Sequence, residues 1–156
     1  MLTSRKLVDR IVAAGLAKHQ PICGAFEVEI ASLETTLGVA LPEDYRSFLK
    51  AVGHSAGAFW DDVDFRVKQL VELQSRAKEM VANWEDGKLP IPNNAFVFAM
   101  RQGEQFMFFE TGTPLVELPI YFYFEGRGAF SICGTSFWDV IEAELNCFES
   151  SVRDLQ

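Results

Sequence analysis

The chain has 156 residues, 49% hydrophobic and 23% charged, a composition that suits one folded domain and lies well away from disordered chains. It carries 14 Lys and Arg against 22 Asp and Glu, a net charge of −8, so it repels phosphate backbones and direct nucleic-acid binding is disfavoured. No run approaches the roughly 20 apolar residues that cross a bilayer.

Leu7, Val8, Ile11, Val12 and Leu16 recur at helical spacing behind Thr3 or Ser4 as N-cap, with Pro21 beyond the end. Asp9 and Arg10 interrupt the apolar stretch, so this opening reads as an amphipathic helix and not as a secretory leader. Phe26, Ile30, Leu33 and Leu37 share one helical face, and Gly38 suits the left-handed residue that ends it. Pro42 costs no hydrogen bond at a helix start, Glu43 and Asp44 favour the positive end, and Leu41, Tyr45, Phe48, Leu49 and Val52 form the next stripe. Gly53 stops that helix. Leu33, Leu37, Tyr45, Phe48 and Leu49 are expected to form the seam between this helix pair.

A loop over residues 53–64 follows. Val67, Leu70, Val71, Ala77, Met80 and Trp84 then resume helical spacing. Beyond Ile91 the texture changes. Residues 95–100 and 105–110 are aromatic-rich runs around Gln102-Gly103, a hairpin signal. Residues 119–125 alternate, predicting a strand with Ile120, Phe122 and Phe124 toward the core and Tyr121 and Tyr123 toward solvent. After Gly126-Arg127-Gly128 comes a short strand at Phe130 and Ile132. Ser136 then opens a last helix lined by Phe137, Ile141, Leu145 and Phe148. Helices followed by strands joined through short turns predict an α+β fold with a mostly antiparallel sheet, its 14 phenylalanines supplying an aromatic core.

Cys23, Cys133 and Cys147 are an odd set without C-x-x-C spacing, which fits reduced thiols in a cytoplasmic protein, read as small buried hydrophobes. No phosphate-cradling loop is present and no cofactor is implied. The two His and three Cys show no closely spaced metal-ligand pair. Gly53-His54-Ser55-Ala56-Gly57 matches G-x-S-x-G, but a nucleophile elbow needs a strand before the serine and a histidine after it in the chain. Here a helix precedes, and His19 and His54 both come before Ser55.

Ile30-Ala31-Ser32-Leu33-Glu34, then Leu37-Gly38, then Leu41-Pro42-Glu43-Asp44-Tyr45-Arg46-Ser47-Phe48-Leu49 resembles the opening signature of the SUKH superfamily. Ile91-Pro92, Gly103, Pro119-Ile120-Tyr121 and Ser136-Phe137 look like its later landmarks in order, leaving the first helix, up to residue 20, as an addition. The resemblance implies a non-enzymatic role. Bacterial members are typically immunity proteins that neutralise toxins, often nucleases, of contact-dependent or polymorphic toxin systems, whereas fungal relatives are regulatory scaffolds in cell-wall assembly. An adaptor for an endogenous protein, or an enzyme of unrecognised type, are the alternatives.

The charge is unevenly placed: residues 1–101 hold 13 acids and 12 bases, residues 102–152 hold 8 acids and one base, Arg127. A protein that caps a basic toxin domain needs such complementary charge. The expected partner site is therefore the acidic side of the sheet with its adjoining loop: Glu104, Glu110, Glu117 and Glu125 with Asp61, Asp62, Asp64 and Trp60 as aromatic anchor, the alternative being a Trp60 in the core beside carboxylates that keep the protein soluble. The same exposed aromatics leave a homodimer open.

Overall fold

A computed structural model describes residues 1–112 and 117–154. The elements run α1 (Ser4–Ala13), β1 (Ile22–Cys23), α2 (Glu27–Leu37), α3 (Glu43–Val52), β2 (Ser55–Ala56), β3 (Val63–Asp64), a 3-10 turn (Val67–Gln69), α4 (Leu70–Glu85), β4 (Ala95–Arg101), β5 (Gln105–Glu110), β6 (Ile120–Phe124), β7 (Ser131–Gly134) and α5 (Phe137–Arg153). The α+β fold with an antiparallel sheet is as the sequence predicts. Every predicted helix and long strand is present.

Strands β3 to β7 form one antiparallel sheet in sequence order, and β1 pairs with β2 in a separate ribbon. The β4–β5 hairpin turns through Gln102 and Gly103, both at positive φ (54° and 68°), as a tight turn matching strand twist requires. β3 covers β4 only opposite Met100 and Arg101. Further along β4 the Gln74 side chain of α4 takes over, donating to the Val97 carbonyl at 2.8 Å and accepting its N–H at 2.9 Å. This satisfies backbone groups beside a register shift between Val97 and Ala99.

Both faces of the sheet are covered. On one, the Tyr45 ring of α3 meets Phe96, Phe98 and Phe109 at centroid separations of 5.3–5.9 Å, and Phe137 of α5 meets Tyr45, Phe48 and Phe98 at 5.3–5.4 Å, mostly edge to face. Of the residues expected at the α2–α3 seam, Tyr45 reaches across to the sheet and Phe48 packs with Trp60, Phe65, Phe137 and Trp138. That seam is held by charge: Glu34 accepts the Leu41 N–H at 2.9 Å and pairs with Arg46 at 2.6 Å, and Arg46 also pairs with Glu27. The Leu-Glu and Leu-Pro signature residues therefore lock the α2–α3 corner.

On the other face α4 buries Leu70, Leu73, Ala77 and Val81. Helix α4 is where two predicted faces shift. Its buried stripe leaves Val71 and Trp84 exposed (47% and 56%), against the sequence reading. Because α4 covers the tyrosine side of β6, Tyr123 is fully buried and its hydroxyl donates to Glu85 at 2.9 Å, while Phe122 and Phe124 are only half-buried. Ile120 is buried as expected, and the polarity reverses only beyond the register shift between Ile120 and Tyr121.

Helix α1 is capped by Thr3, whose hydroxyl accepts the Lys6 N–H at 3.3 Å, and it buries Leu7 and Ile11. Arg10 fastens it to α5 through a two-pronged pair with Glu149 at 3.2 and 2.7 Å. Among the described residues no helix is long and apolar enough to cross a membrane.

Candidate functional site

Strand β5 decides where the predicted carboxylates lie. Six residues at about 3.4 Å each separate its ends by roughly 20 Å, so Glu104, just before it, and Glu110, its last residue, sit at opposite ends of the sheet. Glu125 joins the first end, its N–H donating to the Glu104 carbonyl at 2.9 Å. Pairing of Val63 with Arg101 brings Asp61 and Asp62 there too. Glu117 instead joins Glu110 across the β5–β6 connection, and the two line a groove with Glu43, Asp44 and Asp139. The single acidic face expected from sequence is therefore two acidic ends.

The groove at the Glu110 end measures 680 Å³ and no Lys, Arg or His lines it among the described residues. Three of its carboxylates have a fold-level reason to be there. Glu43 and Asp44 occupy the first turn of α3 and Asp139 that of α5, where anions offset the helix dipole.

The Glu104 end is chemically richer. Trp60 stands at its back, only 1% exposed, stacked on Phe59 at 5.2 Å and packed against Phe48 and Phe65. Its backbone takes φ 58°, uncommon for a bulky residue, which turns the indole inward. The indole N–H donates to Glu144 Oε2 at 3.0 Å. An indole so placed belongs to the core, which corrects the expectation that Trp60 anchors a partner from an exposed loop. Asp64 is also occupied, accepting from Gln69 at 2.9 Å and from Arg76 at 2.9 Å.

Arg101 lies between Asp62 at 3.1 Å and Glu144 at 3.2 Å, so two carboxylates share one guanidinium and the trio keeps a net negative charge. Its Nε is buried and its contact with Asp62 lacks hydrogen-bond alignment. Asp61 and Glu104 are exposed.

Beside these charges α5 stands off the sheet and leaves a cleft of 220 Å³. Val63, Ala99, Met107, Phe122, Val140 and Ala143 supply its apolar walls, with Arg101, Gln105 and Glu144 at its polar end. The cleft exists because Ala99 of β4 and Ala143 of α5 are small where the same helix–sheet layer elsewhere holds phenylalanine rings. Cys133 lines it as well. Its sulfur contacts the Ile120 carbonyl at 3.4 Å, and burial raises the thiol pKa. All three cysteines are free thiols on residues that stay exposed, Cys133 with its sulfur alone turned inward, which corrects their reading as buried hydrophobes. Sequence reasoning had no route to this cleft, whose walls come from six separate elements.

The G-x-S-x-G segment has a structural explanation. Gly57, at φ 62°, packs so closely on the Leu16 carbonyl that no Cβ could be admitted, and a Cβ on Gly53 would strike the Leu49 carbonyl and Ala25. His54 Nε2 lies 2.7 Å from Glu29 Oε2, and Ser55 pairs by backbone with Cys23. Hydrogen bonds from the Phe26 backbone and from His54 hold the Glu29 carboxyl below its usual pKa. Among the described residues no group of three or more His, Cys, Asp or Glu is arranged to hold a metal.

The SUKH_6 family model, described as SMI1-KNR4 cell-wall, matches residues 27–139, well over half of the chain. The chain belongs to the SUKH superfamily. A search of curated proteins found no match. The SUKH match begins at the start of α2 and ends in the first turn of α5, so α1 and most of α5, joined by Arg10 and Glu149, lie outside it. Part of the cleft falls outside too, since Val140, Ala143 and Glu144 follow residue 139.

Proposed function

We propose that this SUKH domain works by binding a protein, without catalysis, as an immunity-type protein that neutralises a basic toxin domain. Membership of the superfamily makes a protein-binding role of this type the natural reading. The observation that carries the choice of site is the Glu104 end, where exposed carboxylates border an apolar cleft. Charges of this kind steer encounter and set register, while desolvated apolar contacts hold the complex. The engagement of His54 with Glu29, and the packing reason for Gly53 and Gly57, support reading Ser55 as structural and not as a nucleophile.

Co-expression of the protein with its captured toxin partner should restore growth, and the association rate in surface plasmon resonance should fall as salt rises. Absence of rescue, or an association rate indifferent to salt, would contradict the proposal.

A further inference from the structure

Resting on the reading of the Glu104 end as the partner site, we propose that the cleft between α5 and the sheet receives one large apolar side chain of the partner, presented on a segment with Lys or Arg on either side. The size fits one side chain. An apolar cavity of about 150 Å³ takes up benzene, whereas pockets for drug-sized ligands start at roughly 300 Å³. At 220 Å³ the cleft suits a Phe, Leu or Met side chain.

The walls suit it as well. Val63, Ala99 and Val140 are buried and form the floor, Met107 and Phe122 are half-buried at the sides, and Ala143 is exposed at the mouth. A guest would thus lose most of its contact with water while its own backbone stayed outside.

The charge around the mouth selects the flanking residues. Glu144 lines the cleft, Asp62 is joined to it through Arg101, and Glu104 immediately precedes the lining residue Gln105. Glu125 follows Phe124, the register partner of Gln105, and Asp61 precedes Asp62. The opposing bases are Arg101, already shared by two carboxylates, and Arg127, whose guanidinium lies over the Phe124 ring at 5.6 Å. Five acids against two bases leave this rim negative. A second copy of this chain, at net charge −8, is the less suitable occupant.

The proposal separates the two contributions by place: the apolar guest acts through Ala143 and its neighbours, the basic flanks through Glu104 and Glu125. The test uses two blocked pentapeptides, Lys-Lys-Phe-Lys-Lys and Lys-Lys-Ser-Lys-Lys, titrated into the isotopically labelled full chain and followed by NMR of the backbone amides. The Phe peptide should move the amides of Ala99, Met107, Phe122 and Ala143. It should bind about tenfold or more tightly than the Ser peptide, the ratio expected from burying one such side chain.

Ala143→Leu fills the cleft from its exposed mouth. It should abolish the preference for Phe, leave the weak charge-driven binding of both peptides in place, and match or exceed wild type in thermal midpoint. Equal affinity for the two peptides, or an unchanged preference in folded Ala143→Leu, overturns the cleft while sparing the acidic end. A titration in which neither peptide shifts Asp61, Glu104 or Glu125 overturns both.

Discussion

The Tyr45→Phe substitution removes a hydroxyl that is fully buried among the rings of Phe48, Phe96, Phe98, Phe109 and Phe137 and meets no hydrogen-bond partner. The same isolation lifts the phenol pKa well above its ordinary value. Leaving water without a partner costs a hydroxyl about 1–3 kcal/mol in the folded state. Against this, the void left by one oxygen, roughly 15 Å³ at about 24 cal/mol per Å³, costs about 0.4 kcal/mol. Tyr45→Phe should therefore stabilise the fold by about 1–2 kcal/mol. With a urea slope near 2 kcal/mol/M the unfolding midpoint should rise by roughly 0.5–1 M, with the slope unchanged. A midpoint below that of wild type would refute the reasoning, because it would mean that the hydroxyl is satisfied in solution.

Phe48→Ala removes a ring in contact with Tyr45, Trp60, Phe65, Phe137 and Trp138, and should lower stability by about 3–5 kcal/mol in denaturant melts; a melt matching wild type would dissolve the aromatic core as described. Burial, with the hydrogen bond to Glu85 adding to it, pushes Tyr123 up to about 12 from an ordinary value of 10.0. Stability from this group is then complete below pH 10 and lost as pH rises toward 12, so ultraviolet titration should show its phenolate appearing only near the upper value or together with unfolding. Ser55→Ala should leave stability and partner binding unchanged, and Ser55 should resist fluorophosphonate. Gly57→Ala should destabilise strongly, since it combines a positive φ with a clash at Leu16.

The helices and long strands were legible because their signals are local: Thr3 and Ser136 do cap α1 and α5, and Gln102-Gly103 does turn the hairpin. What escaped the sequence were facts about neighbours. Alternation in β6 shows that Tyr121 and Tyr123 share a face but not that α4 covers it, and a tyrosine is as much at home over a helix as in water. Spacing likewise put Trp84 on a helix without revealing that it falls outside the buried stripe, and put Trp60 in a loop without settling that the loop folds inward onto Glu144. The acidic surplus was visible as composition, whereas its division between two ends follows from where β5 begins and stops. Ala99 and Ala143 make a cleft only because a helix brings them together.

The most direct test of the central claim is affinity capture from the native host with three baits: wild type, Glu104→Lys with Glu125→Lys, and Glu110→Lys with Glu117→Lys. Proteins retained in stoichiometric amount are identified and quantified by mass spectrometry. A basic protein held by wild type and by the Glu110 and Glu117 variant, and lost from the Glu104 and Glu125 variant, is the predicted result. Equal retention by all three baits, or loss only when the Glu110 end is reversed, would contradict the account.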